Sequence, residues 1–273
     1  MGASRVALVT GASSGFGKAI ATLLAGNGFD VYGTSRRPER PESDGFRMLA
    51  LDVTSDESVS ACVRSVLDGA GRIDLLVNNA GFVMSGAIEE TSVEEAKAQF
   101  ETNFFGVMRV TREVLPAMRE RRSGRIVMMG SVGGLLPSPF EGVYVATKHA
   151  LEGYAETLRL EVAGFGVKVS IIEPGFFKTG LFKSETPVRA RIPDYDAPRK
   201  NASTVREGEH RAKALDPRLV ADLVLRVANS SSPRLRYTIG RERGAIRLKK
   251  VIPEGIYESF TRKHWKLDDP RAA

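Results

Sequence analysis

The chain has 273 residues, 42% of them hydrophobic and 27% charged, and a net charge of +7. This composition is ordinary for a globular protein and excludes a collagen-like, disulfide-rich or largely disordered chain. The basic residues are scattered and no aromatic-basic motif accompanies them, so we favour a basic surface around an anionic ligand over a nucleic-acid-binding protein. No apolar run approaches the roughly 20 residues that span a bilayer, and the N-terminus lacks a signal-peptide pattern. We therefore expect a cytoplasmic protein.

Short β-rich runs alternate with amphipathic helical patterns along the first 175 residues, which predicts a doubly wound parallel sheet with flanking helices. The strands are predicted at 5–10, 30–35, 46–53, 73–79, 125–131 and 167–175, and the helices at about 15–27, 55–69, 92–121 and 143–164. The polar, proline-containing stretch 181–213 is predicted to be a substrate loop or lid with short helical pieces. A helix at 217–228, a short strand at 235–240 and a helical C-terminal extension, 242–273, follow. Without a repeat or a long linker, residues 1–273 are predicted to form a single α/β domain.

A glycine-rich turn separates the first strand from the first helix, with the spacing G-x-x-x-G-x-G. Glycines allow positive φ and let backbone N–H groups approach a diphosphate, while the following helix N-terminus adds a partial positive charge. The alternative is a tight turn without a ligand, but its place between strand and helix favours phosphate binding. The expected contacts are Gly11, Ser13, Ser14, Gly15, Phe16 and Gly17.

Further motifs follow in order at the ends of the predicted strands and on the next helix: Asp52-Val53, Asn78-Asn79-Ala80-Gly81, Ser131, Tyr144-x-x-x-Lys148 and Pro174-Gly175-x-x-x-Thr179. Together with the glycine turn, this set resembles the short-chain dehydrogenase/reductase family over about residues 5–180. The resemblance implies a Rossmann-like fold and an oxidoreductase that uses a nicotinamide cofactor. Its implied cofactor contacts are Asp52, Val53, Asn79, Ala80, Gly81, Tyr144, Lys148, Pro174, Gly175, Phe177 and Thr179.

The pair Tyr144 and Lys148 is spaced i, i+4, so both side chains lie on one face of a helix. Alone, this spacing is common and is typical of two exposed helix residues. The resemblance gives it a role, because matching residues form a tetrad with Asn103 and Ser131. It implies that Tyr144 is the general acid in reduction and the general base in oxidation, and that Ser131 bonds the substrate oxygen. It also implies that Lys148 lowers the Tyr144 pKa and binds the nicotinamide ribose, and that Asn103 anchors a water.

The end of the second predicted strand indicates which cofactor binds. In this architecture an acidic residue there bonds a ribose 2′-hydroxyl and repels a 2′-phosphate. Here the position falls at Ser35, followed by Arg36 and Arg37. Because a guanidinium binds phosphate through charge-assisted hydrogen bonds, we predict NADP(H), with Arg36 as the main contact. The alternative is that the two arginines begin a solvated loop.

The expected substrate is a small-molecule carbonyl or alcohol, and apolar residues around the motifs suggest a lipophilic one. Within the family, the chain looks most similar to the subgroup near 17β-hydroxysteroid and retinol dehydrogenases. Turnover restricted to small polar polyols or sugars would contradict a lipophilic substrate. The candidate pocket residues are Val132, Leu135, Leu136, Phe140, Phe176, Phe177, Leu181 and Phe182.

Several alternatives remain open at this point. The extension 242–273 could lie in a membrane interface, or it could cover the substrate pocket or a subunit partner. We prefer docking on the body and no membrane partner. A non-catalytic NADPH sensor and a nucleotide-sugar epimerase or dehydratase are the rival functions. The resemblance implies a homodimer or homotetramer through the helices at 92–121 and 143–164. No metal site is expected, because His210 and His264 lack metal-ligand spacing.

Overall fold

The computed structural model describes residues 4–38, 42–43, 45–180 and 185–268. Its strands are β1 (Arg5–Val9), β2 (Phe29–Ser35), β3 (Glu42–Ser43), β4 (Phe46–Ala50), β5 (Leu75–Asn78), β6 (Met84–Ser85), β7 (Gly124–Met129), β8 (Val167–Pro174), β9 (Thr186–Pro187) and β10 (Arg236–Ile239). Eight of them form one sheet in the order β10-β8-β7-β5-β1-β2-β4-β3, and β6 pairs with β9. Every pairing in the large sheet is parallel except that of β3 with β4.

The helices are α1 (Gly15–Ala25), α2 (Asp56–Ala70), α3 (Val93–Phe100), α4 (Gly106–Glu120), α5 (Gly142–Glu161), α6 (Asp196–Lys213), α7 (Arg218–Asn229), α8 (Arg243–Lys249) and α9 (Glu254–His264). A π-helical stretch, Glu101–Phe105, joins α3 to α4. None of the helices in the described ranges is long and apolar enough to cross a bilayer.

Two hydrophobic cores cover the two faces of the sheet. Val6 and Leu8 of β1 pack with α2, α4 and α5, whereas Ala7 and Val9 pack with α1 and α7. This alternation follows from the two-residue period of a strand, and burial on both sides explains the continuous apolar run of β1. The fold is therefore the predicted doubly wound α/β sheet, with a Rossmann-like order of strands.

The predicted strands and the first helices are confirmed with small shifts at their ends, but the prediction of only short helical pieces in the stretch 181–213 is wrong for its second half. In place of a loop with short helical pieces, it contains the 18-residue helix α6. The proline in α6, Pro198, lies in the first turn, where proline is compatible with a helix. The buried residues of α6 are Asn201, Ala202 and Arg206. Because two of these three are polar, no apolar stripe could reveal the helix in the sequence.

Candidate active site

A cleft of about 1080 Å³ opens at the carboxyl ends of the parallel strands, where ligands bind in open α/β sheets. Its floor is formed by the turns that follow β1, β2, β4, β5, β7 and β8. Its roof is formed by side chains of α6, α8 and α9. All predicted cofactor residues line this cleft except Gly17, and three of the four catalytic candidates line it, the exception being Asn103.

The glycine turn after β1 has the geometry of an anion site. Gly11 and Gly15 have φ values of 67° and 54°, which other residues rarely adopt. α1 begins at Gly15, and the Ser14 side chain makes no capping hydrogen bond in the described structure. The first N–H groups of α1 therefore point towards the cleft without a side-chain acceptor. Gly17 has a packing role instead, because a Cβ there would lie 2.1 Å from the Gly11 carbonyl oxygen.

Asn79 fixes this turn to the end of β5. Its Nδ2 donates to the carbonyl oxygens of Thr10 at 2.9 Å and Gly11 at 3.0 Å. In return, the Thr10 hydroxyl oxygen accepts from the amides of Asn79 at 2.9 Å and Ala80 at 3.0 Å. Asn79 thus holds the floor of the cleft together at the junction of two neighbouring strands.

The end of β2 leaves a polar group unsatisfied. The Ser35 hydroxyl is buried and has no hydrogen-bond partner among the described residues. Arg36 is exposed and lines the cleft beside it, whereas Arg37 does not line it. The neighbouring carboxylate, Asp52, accepts from the Thr54 amide at 2.9 Å and the Thr54 hydroxyl at 2.7 Å. These bonds, and then the Arg36 charge, lower the pKa of Asp52.

Ser131, Tyr144 and Lys148 meet at the floor of the cleft. Ser131 follows β7, its Oγ accepts from the Gly133 amide at 3.0 Å, and a side-chain hydrogen bond joins it to Tyr144. Lys148 lies one turn further along α5. Its Nζ donates to the Met129 carbonyl oxygen at 2.8 Å and lies 5.6 Å from the centre of the Tyr144 ring.

The pKa values of this pair follow burial. Desolvation raises the pKa of Tyr144 to about 12, although the Ser131 hydrogen bond acts in the opposite direction. Desolvation also lowers the pKa of Lys148 to about 8, although the Glu152 charge raises it. The Glu141 charge raises the pKa of Tyr144 further. The expectation that Lys148 lowers the Tyr144 pKa stays a prediction, and burial acts against it. At neutral pH Tyr144 carries its proton.

Asn103 lies in the π-helical stretch, outside the cleft wall, with its side chain buried. Its Oδ1 accepts from the Phe82 amide at 3.0 Å, and its Nδ2 donates to the Phe82 carbonyl at 2.9 Å and the Thr147 hydroxyl at 3.3 Å. The side chain thus connects a cleft-lining residue to α5. π-Helical turns of this kind are frequent at functional sites.

The segment after β8 crosses over the glycine turn. Phe177 is buried and packs edge to face on Phe16, with ring centroids 5.3 Å apart. A Cβ built on Gly15 would lie 3.7 Å from the Thr179 Cβ. The Pro174–Thr179 motif therefore lines the cleft next to the glycine turn.

The predicted substrate pocket is confirmed in part. Val132, Leu136, Phe176 and Phe177 line the cleft, but Leu135 and Phe140 do not. The Phe140 ring instead packs on Tyr195, at a centroid distance of 6.3 Å. Leu181 and Phe182 lie outside the described residues. The sequence predicted a substrate lid at 181–213 and a C-terminal extension docked on the body, but not which of their residues face the cleft. The cleft-lining residues of the roof are Arg206, Glu209, Lys213, Arg241, Glu242, Ala245, Tyr257, Phe260, Thr261, His264 and Trp265.

A buried charge cluster connects the roof to the start of α5. Nη1 of Arg206 in α6 lies 3.0 Å from both Glu141 Oε1 and Glu185 Oε1, and its Nη2 donates to the Pro139 carbonyl at 3.0 Å. Glu141 is the residue before α5, three positions ahead of Tyr144. No local pattern could predict this cluster, because its members are brought together only by the fold.

A second roof residue, Glu242, has both carboxylate oxygens buried without a hydrogen-bond partner among the described residues. A Cβ built on Gly175 would lie 1.8 Å from Glu242 Oε2, so the missing side chain of Gly175 provides its space. The flanking Arg241 and Arg243 donate to the carbonyls of Ala212 and Thr238 instead. In the described ranges no cluster of three or more His, Cys, Asp or Glu could hold a metal.

Comparison with known proteins agrees with this geometry. Residues 5–190 match the family model for short chain dehydrogenase. The chain belongs to the short-chain dehydrogenase/reductase family. It is 39% identical over 239 residues to the 3-ketodihydrosphingosine reductase of Bacteroides thetaiotaomicron, covering 86% of this chain and 88% of that protein. The family assignment makes it an oxidoreductase.

Solved structures show the same relationship. A short-chain dehydrogenase from Streptomyces avermitilis superimposes with a TM-score of 0.82 at 37% identity, over 96% of this chain and 99% of that one. The closed form of serine dehydrogenase complexed with NADP⁺ superimposes with a TM-score of 0.73 at 27% identity, over 86% and 94%. The first match extends over the roof helices as well as the sheet, since it leaves only 4% of this chain uncovered.

Proposed function

We propose that the protein is an NADP(H)-dependent oxidoreductase that interconverts a carbonyl and a primary or secondary alcohol on a lipophilic substrate. The observation that carries this proposal is the meeting of Ser131, Tyr144 and Lys148 at the floor of the cleft. A hydroxyl hydrogen-bonded to a protonated phenol, with an ammonium near the ring, is suited to bind an oxygen atom and to deliver a proton to it.

The floor residues fit a nicotinamide dinucleotide phosphate. The start of α1, whose N-cap Ser14 makes no capping hydrogen bond with its side chain, suits its diphosphate. The unpartnered Ser35 hydroxyl and the Arg36 guanidinium suit its 2′-phosphate, since no carboxylate stands at either position. The likeness to a serine dehydrogenase complexed with NADP⁺ supports the same choice.

Bound NADPH would supply the hydride for carbonyl reduction. In that direction Tyr144 Oη gives its proton to the substrate oxygen, while Ser131 holds the same oxygen by a hydrogen bond. The ammonium of Lys148 then stabilises the phenolate that remains. In the reverse direction the phenolate takes the proton from an alcohol. A non-catalytic sensor is disfavoured, because it would not require this set of proton-handling groups.

A lipophilic substrate is supported by the apolar part of the cleft wall, from Val132, Leu136 and Phe176 on one side to Tyr257, Phe260 and Trp265 on the roof. The 3-ketodihydrosphingosine reductase relative acts, by its name, on a long-chain ketone. The volume of about 1080 Å³ leaves room for such a chain beside a dinucleotide.

The test is a panel of ketones and aldehydes of increasing chain length, with sugars and polyols as the polar set, followed by the change in NADPH absorbance. We expect kcat/KM to rise with chain length and to be higher with NADPH than with NADH. Turnover confined to the polar set would contradict a lipophilic substrate. A higher kcat/KM with NADH would contradict the cofactor assignment.

A further inference from the structure

The part of the chain from residue 243 to residue 266, here called the C-terminal arm, is the most exposed apolar region of the structure. Its only buried residues are Ile246 and Trp265, so its docking on the body is limited. Of the ten large hydrophobic residues that the described chain exposes, four lie in the arm. They are Leu248, Val251, Ile256 and Phe260, and Val251 is 78% exposed.

The same arm has a strong excess of positive over negative charge. It contains seven lysines and arginines against two glutamates, an excess of five, while the whole chain has a net charge of +7. Arg247, Lys250 and Lys263 are exposed beside the apolar side chains. Ile256, Phe260 and Lys263 follow one another at i, i+4 and i+7 of α9, so they share one face of that helix.

We propose that the C-terminal arm docks on an anionic lipid surface. Leu248, Val251, Ile256 and Phe260 would enter the boundary between headgroups and acyl chains, and the basic side chains would bind lipid phosphates. An interfacial helix combines these two features: apolar side chains that enter to a shallow depth, and lysines and arginines at headgroup level. The attachment is peripheral.

Charge decides between lipid and a second copy of the chain. A symmetric dimer through this face would bring two arms together, each with an excess of five positive charges. Repulsion at contact distance would oppose such a dimer, and no acidic surface of the arm could compensate it. An anionic bilayer supplies the missing negative charge and the apolar environment together.

The arm also forms one rim of the cleft. Tyr257, Phe260 and Trp265 line it, and Phe260 is 57% exposed to solvent while doing so. Docking would therefore place the cleft opening against the lipid surface. A lipophilic substrate could then pass from the bilayer to Tyr144 without crossing water. This consequence rests on the proposed function, whereas the docking of the arm on lipid is independent of it.

The test uses the full chain in flotation with vesicles of phosphatidylcholine alone or mixed equally with phosphatidylglycerol. We expect binding only to the mixed vesicles, and weaker binding as salt rises. Val251→Asp combined with Ile256→Asp should reduce the partition coefficient about tenfold or more, because two inserting groups become charged. The matched control is Val93→Asp, which alters an exposed valine at the start of α3.

Melting temperature and NADPH binding should be unchanged in both variants, since the altered side chains are exposed. If the double variant fails to fold, Lys250→Glu combined with Lys263→Glu gives a second test, with the same expected loss. The proposal is overturned if the wild-type protein does not bind the mixed vesicles or if Val93→Asp reduces binding as much. It is also overturned if light scattering shows a dimer that the double variant dissociates. Turnover of a water-soluble carbonyl is measured separately, so a failure of the proposed function can be distinguished from a failure of lipid docking.

Discussion

The sheet with its turns and the roof formed by α6, α8 and α9 hold their cleft-lining groups in different ways. In the sheet half, site side chains bond to backbone atoms: Asn79 to the Gly11 carbonyl, Lys148 to the Met129 carbonyl and Ser131 to the Gly133 amide. In the roof, α6 is held by ion pairs of Arg206. α8 buries only Ile246, α9 buries none of its residues, and Trp265 directly after α9 is buried. Under the proposed function this difference would separate two tasks: the sheet half would fix the geometry for chemistry, and the roof would contact the substrate.

The largest expected effect concerns the sheet half. Tyr144→Phe removes only the hydroxyl that exchanges the proton, so kcat/KM should fall about a thousandfold. The NADPH dissociation constant should change little, because the ring and its packing remain. Single-turnover assays and fluorescence titration with NADPH measure the two quantities. Retention of more than a tenth of the activity would mean that another group supplies the proton.

The next largest effect concerns the ion pairs that attach the roof, and it should appear in the free energy of unfolding. Arg206→Ala leaves Glu141 and Glu185 without their shared cation in a buried place, and we expect the free energy of unfolding to fall by about 3 kcal/mol. Urea unfolding at pH 7 measures it. The control is Arg211→Ala, an exposed arginine of the same helix, with an expected change within about 0.5 kcal/mol. Equal effects of the two changes would show that the cluster does not hold the roof.

Cofactor choice depends on the edge of the sheet half. Arg36→Ala removes a charge-assisted contact to the 2′-phosphate, so the NADPH dissociation constant should rise about tenfold to a hundredfold, and that of NADH should not. Arg37→Ala is the matched control, because this neighbouring arginine is exposed but does not line the cleft. Equal weakening of NADPH and NADH binding by Arg36→Ala would contradict the proposed contact.

The sequence allowed more of the sheet half to be predicted than of the roof, and the reasons are physical. Strands buried on both faces and a glycine turn leave local patterns, so β1 and the floor of the cleft could be located. α6 buries Asn201 and Arg206, and these polar residues carry no hydrophobic period. Arg206 and Glu141 meet only in the folded chain. The pKa of Tyr144 depends on its burial, which the spacing of Tyr144 and Lys148 could not supply.

The smallest expected effect tests whether the buried ammonium of Lys148 lowers the free energy of unfolding. Burial lowers the pKa of Lys148 from 10.5 to about 8, so the folded protein holds this ammonium unfavourably. Lys148→Met should raise the free energy of unfolding at pH 7 by about 2 kcal/mol, the desolvation cost less the lost bond to Met129, while activity falls. Lys168→Met, at an exposed position of β8, is the control.

The pH dependence of this difference follows from the same shift. Below pH 8 Lys148 is protonated in both the folded and the unfolded chain, so the variant keeps its full advantage. Between pH 8 and 10.5 the folded wild-type protein releases the proton first, and its relative stability rises. The advantage should therefore shrink through this range and vanish above it, as urea unfolding at several pH values would show. A variant less stable than wild type at pH 7 would mean that the Met129 carbonyl and the Glu152 charge outweigh desolvation, and that this half of the molecule holds its catalytic lysine without strain.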